Sequence, residues 1–357
     1  VNNDVWETLA PFLQEDYVAV AHDSAVGWEA LNGKTVLVTG ATGEIGREIV
    51  KTLLVAQSVR NLDCRIYCHA RSYEKVKAVF GTWIPPFQEV LRFVYGDIQS
   101  FELKAHIDFI IHSAGPTASE FFVRRPVETI DAIVGGTKHV LDIARKNEIT
   151  SLAYLSSMEV YGQIDSDNVT ETDSGYLNPL SARSSYPQAK RLAETLLYSA
   201  YTQFGLPVKI IRPTQVFGTH LGAGDKRVYA QFARAARNGN PIVLHTAGTT
   251  RRDYIYTLDA VRAILTILLR GQNGEAYNAS NPENYLSIRQ MANLAASFNP
   301  DSHVVFNTQA GLKKGYAPTV QIRLNIEKLN ALNAFSKTSI ETMFRHLISD
   351  LKVDDAP

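Results

Sequence analysis

An α/β fold built on a doubly wound parallel sheet is implied by two features of the 357-residue sequence. Short β-branched runs alternate with longer segments of helical period from Lys34 onward, an order that buries a parallel sheet under helices on both faces. The first run leads straight into a glycine-rich turn and then a helix-period segment, the entry to a βαβ unit. The runs occupy 35–40, 64–70, 91–97, 107–115, 151–157 and 208–213. Between them lie amphipathic stretches such as GREIVKTLLVA and VGGTKHVLDIARKN.

Before that core, residues 1–33 carry Trp6, Leu9, Phe12, Leu13 and Trp28 among polar residues, which reads as an extension of one or two helices laid on the main body. After Pro213, turn-rich segments separate helices expected at 228–238 and 257–270. This division predicts a dinucleotide-binding domain over 34–213, a return to it near 245–272, and a smaller C-terminal substrate-binding domain over 214–357.

Composition narrows the function. Lys plus Arg and Asp plus Glu number 36 each, so the formal net charge is zero, and no basic excess marks a nucleic-acid binder. No apolar run approaches the ~18 residues that span a bilayer. The start of the chain has acidic residues where a signal peptide needs basic ones, so a cytoplasmic protein without a membrane partner is expected. Cys64 and Cys68 lie four apart in a strand-like run, about 13 Å from each other, too far for a disulfide.

The cofactor site follows from the turn Gly40-Ala41-Thr42-Gly43-Glu44-Ile45-Gly46. Glycines let the chain turn tightly, let backbone approach a pyrophosphate and let the helix pack on the strand, while the helix N-terminus offers amides. This is the Rossmann-type arrangement. A count of about 20 residues toward the acidic ribose reader reaches Asp63, which precedes the second strand. The far end of that strand is His69-Ala70-Arg71-Ser72, with no carboxylate. Arg71 therefore points to NADP, with NAD the alternative. Asp97 and Ile98 end the third strand within expected reach of adenine, and Ala114 and Gly115 are small where backbone passes close to the cofactor.

The chemistry falls to the fifth strand and the helix after it. Tyr186 and Lys190 share a helix face, where an ammonium can lower the phenol's pKa and a phenolate can take a hydroxyl proton as hydride leaves the same carbon. Ser157, in SSMEVYG, would hold that hydroxyl. No metal ligands are assigned.

GATGEIG, GDI, SSMEVYG, YPQAK, RRDYIYTLDA and YNASNPE, in this order, resemble the extended short-chain dehydrogenase/reductase family of nucleotide-sugar epimerases, dehydratases and decarboxylases over nearly all of 34–350. The resemblance implies a nucleotide-sugar substrate, the catalytic roles for Ser157, Tyr186 and Lys190, a homodimer paired through the helices after strands four and five, and Arg252 facing the nucleotide diphosphate. Within the family the chain looks most like UDP-glucuronate decarboxylases, from Asn178-Pro179-Leu180 through Arg183 and Tyr186 to Glu194-Thr195, and again at Gly224–Val228. That likeness implies substrate contacts at Arg183 and Arg227, and it matches Glu159 to the glutamate that decarboxylases and 4,6-dehydratases carry. Oxidising C4 of a hexuronate makes a β-keto acid; loss of carbon dioxide leaves an enolate that needs a proton at C5, and a carboxyl group nearby can deliver it. The alternatives are a 4,6-dehydratase, a 4-epimerase, a 4-ketoreductase consuming NADPH and, last, a non-catalytic NADP-binding module.

Departures from the pattern also carry information. Met158 replaces the aspartic acid of dTDP-glucose dehydratases and cannot donate a proton. Gln215 replaces an asparagine that helps place the nucleotide, and Ile133 replaces another ahead of the Gly-Thr pair in the fourth helix.

Overall fold

The computed structural model describes residues 3–164, 166–222, 224–307 and 321–351. All six β-branched runs form strands of one sheet: β1 (Lys34–Thr39), β2 (Cys64–Ala70), β3 (Leu91–Tyr95), β4 (Phe109–His112), β5 (Ser151–Leu155) and β7 (Val208–Pro213). A seventh, β11 (Ala276–Ala279), joins its edge. The order is β11-β7-β5-β4-β1-β2-β3, every neighbour parallel. The order reverses between β1 and β4, so their C-terminal ends open the crevice where ligands of such sheets bind. Both strands are almost wholly buried at those ends, which is why they read as continuous apolar runs.

Helices Glu44–Arg60, Gly136–Asn147, Ser185–Phe204 and Thr257–Arg270 cover the sheet. Helix Glu44–Arg60 buries Ile49, Val50, Leu53 and Leu54 and ends at Asn61 in the left-handed conformation, φ 54°; helix Ser185–Phe204 ends at Gly205, φ 70°, the residue that adopts that cap at least cost. Gly136–Asn147 is preceded by a π-helical turn, Asp131–Gly135, a widening often found at functional sites. The returning segment 245–272 contains helix Thr257–Arg270, and β11 lies just beyond it.

A second sheet runs β12 (Asn281–Ser287), β10 (Arg251–Tyr256), β14 (Gln321–Leu324), β6 (Ser166–Val169), with β8 (Gln215–Phe217) also paired to β10. A small parallel pair joins β9 (Ile242–Leu244) to β13 (Val304–Phe306).

The N-terminal extension contributes helix Pro11–His22, laid against Glu44–Arg60 and Thr257–Arg270. Leu13 and Trp28 are buried, while Trp6, Leu9 and Phe12 pack partly buried on the core. Its polar fastenings were not evident from apolar spacing: Tyr17 donates to buried Glu48, Asp23 accepts from Arg262 at 2.9 Å, and Asp16 accepts from Tyr256 at 2.5 Å. Cys64 and Cys68 are free and buried; burial pushes the Cys64 thiol up to about 12, which makes it unreactive. No helix among the described residues is long and apolar enough to cross a membrane.

Candidate active site

The glycine turn is shaped by close approach. Gly40 has φ +70°, and a Cβ there would lie 2.8 Å from the Ala114 Cα; a Cβ on Gly46 would collide with the Gly40 carbonyl oxygen. Only glycine fits at either position. Gly43 caps the helix, and Thr42, Glu44 and Ile45 present first-turn backbone. The ends of β1 and β4 are tied by Ser113 donating to the Thr39 carbonyl at 2.6 Å. The result is a backbone cradle that a side chain would fill, and it fits a dinucleotide pyrophosphate. Gly115 sits against Ile133.

Around it, Arg71 is exposed just past β2 and makes no hydrogen bond or ion pair with the described residues. Ser72 caps helix Tyr73–Phe80 and donates to Glu74 at 2.7 Å. Asp97 is exposed and accepts from the Gln99 amide at 2.9 Å, a turn-stabilising bond. Ile98 is buried beneath Gly136, where any Cβ would come within 2.9 Å of it.

Ser157, Tyr186 and Lys190 are brought together. Ser157 follows β5 and opens the turn Met158–Tyr161, accepting from the Glu159 amide at 3.2 Å, and its hydroxyl is close enough to the Tyr186 phenol to favour the phenolate. Tyr186 is stacked on buried Phe122, centroids 4.3 Å apart. Lys190 donates to the Leu155 carbonyl at 2.6 Å and lies 5.9 Å from the Tyr186 centroid.

The expectation that Lys190 depresses the phenol's pKa is not met, because burial dominates the phenol's proton affinity. Burial, followed by the nearby Glu159 charge, pushes Tyr186 above its ordinary value. Burial also pulls Lys190 down to about 7, so much of its charge is lost at neutral pH. Shared helix spacing brought the two groups together, but desolvation decides their protonation.

Glu159 and Arg183 pair with each other: Arg183 Nη2 lies 2.8 and 2.7 Å from the two carboxylate oxygens, its guanidinium 5.2 Å from the Phe122 centroid. Behind them is a buried network that motif reading missed. Glu194 accepts from Ser156 at 2.5 Å and from Arg212 at 3.0 and 2.7 Å. Arg212 also donates to the Tyr161 hydroxyl at 3.0 Å, which donates to Asn278 at 2.6 Å. Glu194 lies one turn after Lys190 on the same face, a signal that was available; Phe122 offered none. Met158 is withdrawn into an apolar cluster with Val160, Tyr161 and Leu324.

The three residues expected at the nucleotide differ in their partners. Gln215 begins β8, opposite Tyr254 of β10, and Arg252 sits on β10 with a buried Nε that has no hydrogen-bond partner among the described residues, a donor a ligand can satisfy. Arg227 is held by Asp225 and by Glu44 of the glycine turn. Beside Arg252, Asp253 is buried and raised to about 6 by desolvation.

Residues 36–280 match the model of the NAD dependent epimerase/dehydratase family. UDP-glucuronic acid decarboxylase 6 of Arabidopsis thaliana is 29% identical over 270 residues, 75% of this chain and 76% of that protein. dTDP-D-glucose 4,6-dehydratase of Mus musculus is 28% identical over 255 residues, 69% of this chain and 67% of that protein. The solved UDP-N-acetylglucosamine 4-epimerase of Methanobrevibacter ruminantium, in complex with UDP-N-acetylmuramic acid, superposes with a TM-score of 0.74 at 19% identity, over 89% of this chain and 97% of that one; at that identity the likeness speaks for the fold.

Proposed function

The chain belongs to the NAD-dependent epimerase/dehydratase family, an enzyme of the extended short-chain dehydrogenase/reductase type, and from that premise we propose that it decarboxylates a nucleotide-linked hexuronate after oxidation at C4. The observation that carries this reading is Glu159, partly open to solvent beside Ser157 and Tyr186 and gripped by Arg183, with Met158 next to it buried in apolar contact. A carboxyl group beside Ser157 and Tyr186 can supply the proton that C5 needs, and Met158 stands in place of the second acid of dTDP-glucose dehydratases.

Bound at the glycine turn, a nicotinamide supplies the oxidation of C4 and the reduction that reverses it. Arg71, without a hydrogen bond or ion pair among the described residues and with no carboxylate at the end of β2, favours NADP; NAD is the other outcome. Ser157 positions the C4 hydroxyl and Tyr186 receives its proton. Because burial holds the phenol protonated, ionising it needs a positive charge alongside, which Lys190 provides while protonated. After carbon dioxide leaves, Glu159, opening from Arg183 and taking up a proton from solvent, would pass it to C5, and Tyr186 would return the hydroxyl proton once C4 is reduced again. Arg252 and Gln215 receive the nucleotide diphosphate region. Pairing into homodimers is supported by exposed Val127 and Ile130 on helix Pro126–Ile130 and by exposed Leu180 in the turn ahead of helix Ser185–Phe204.

Incubation with UDP-, CDP-, GDP- and dTDP-sugars, with and without NAD or NADP, followed by mass spectrometry and NMR, tests this. Loss of carbon dioxide from a uronate supports it. Loss of water assigns a 4,6-dehydratase, an isomass product a 4-epimerase, and a gain of two hydrogens with stoichiometric NADPH use a ketoreductase. Binding without turnover, with Tyr186→Phe indistinguishable from wild type, would make the protein a binding module.

A further inference from the structure

Glu44 is the first residue of the helix after Gly43, so a carboxylate grows from the turn whose amides fit a pyrophosphate. Negative charge so close to a diphosphate repels it. The small lobe supplies the compensation: Arg227, immediately before helix Val228–Arg237, places Nη2 2.6 Å from Glu44 Oε2. Its position is over-determined. Arg227 Nε lies 3.0 Å from both Asp225 carboxylate oxygens, and its guanidinium lies 4.9 Å from the Tyr229 centroid. Tyr229 is stacked on Phe217 at 4.2 Å and donates to the Val216 carbonyl at 3.5 Å. One residue earlier, Lys226 reaches Glu120 at 3.2 Å.

We propose that Arg227 sets the affinity for the dinucleotide by neutralising Glu44, so that cofactor retention depends on the Asp225–Arg227 segment of the small lobe being in place. The role differs from a substrate contact, since Nε and Nη2 are already committed to carboxylates. It rests on the glycine turn being the dinucleotide site.

NADH and NADPH binding to wild type, Arg227→Gln, Glu44→Gln and the double variant is measured by nicotinamide fluorescence at low and high salt, with thermal melts alongside. Arg227→Gln is expected to weaken binding by roughly tenfold or more, an effect of unit charges a few ångströms apart, and salt should narrow the difference. Glu44→Gln should bind at least as tightly as wild type, and the double variant should regain most of the loss. Unchanged dinucleotide affinity in Arg227→Gln overturns the proposal, as does a double variant no better than the single one. If Arg227→Gln melts below the assay temperature, Glu44→Gln decides alone: weaker binding would make the carboxylate a ligand and overturn the proposal. A wild-type protein that binds neither dinucleotide overturns the cofactor assignment instead, so the two failures are distinct.

Discussion

Two glutamate–arginine pairs flank the catalytic helix with nearly the same geometry, Glu194 with Arg212 at 2.7 Å and Glu159 with Arg183 at 2.7 Å. The side chains of the first pair are 10% and 13% exposed, those of the second 37% and 41%. Glu194 and Arg212 are enclosed by Ser156, Tyr161 and the Glu171 carbonyl, which satisfy their remaining donors and acceptors. Among the described residues, Glu159 and Arg183 side chains pair with each other and with the face of Phe122. A buried pair cannot lose one member without stranding a charge, whereas a half-exposed pair opens at little cost. The same two residue types therefore form a fixed support behind the Ser157 turn and, in front of it, a pair that can open.

Arg212→Met separates the two most sharply. It should lower stability by about 3–5 kcal/mol, the cost of leaving a buried partner charge uncompensated, seen as a shifted urea midpoint; a loss no greater than that of Arg183→Met would erase the distinction. Glu159→Gln should cut product formation by about a hundredfold or more, the scale of a lost general acid, with stability unchanged within ~1 kcal/mol and cofactor reduction by bound substrate still detectable. Undiminished product would place Glu159 with the supporting residues.

Lys190 stands one turn before Glu194, and its titration reports the buried side. Its native pKa is pulled from 10.5 to about 7. Above a pH of about 7 the native side chain is mostly neutral while the unfolded chain still holds the proton. Stability should therefore rise with pH toward the ordinary lysine value, by at most about 1.4 kcal/mol per pH unit. Denaturant titrations should show this rise in wild type and a flatter profile in Lys190→Met; identical profiles would mean that Lys190 is charged and solvated.

Residues close in sequence carried most of what was legible. The six strands showed as runs because parallel strands bury both faces, and the glycine turn because its three glycines act within one tight bend. Tyr186 and Lys190 showed because helical spacing puts them on one face. β11 escaped because AYNA is too short to show a period. The phenol's proton affinity was misjudged for a different reason: spacing says which groups are neighbours, but burial sets the sign of the shift.

The sequence by itself therefore determined the α/β order, the backbone cradle at Gly40–Gly46 and the residues gathered at the end of β5, since each depends on contacts within one turn or one helix face. Only the tertiary structure decided that Arg183 meets Glu159, that Arg212 locks Glu194, and that Arg227 crosses to Glu44. Those pairings join distant segments, and a charge finds its partner through the packed core that positions it, which no local period encodes.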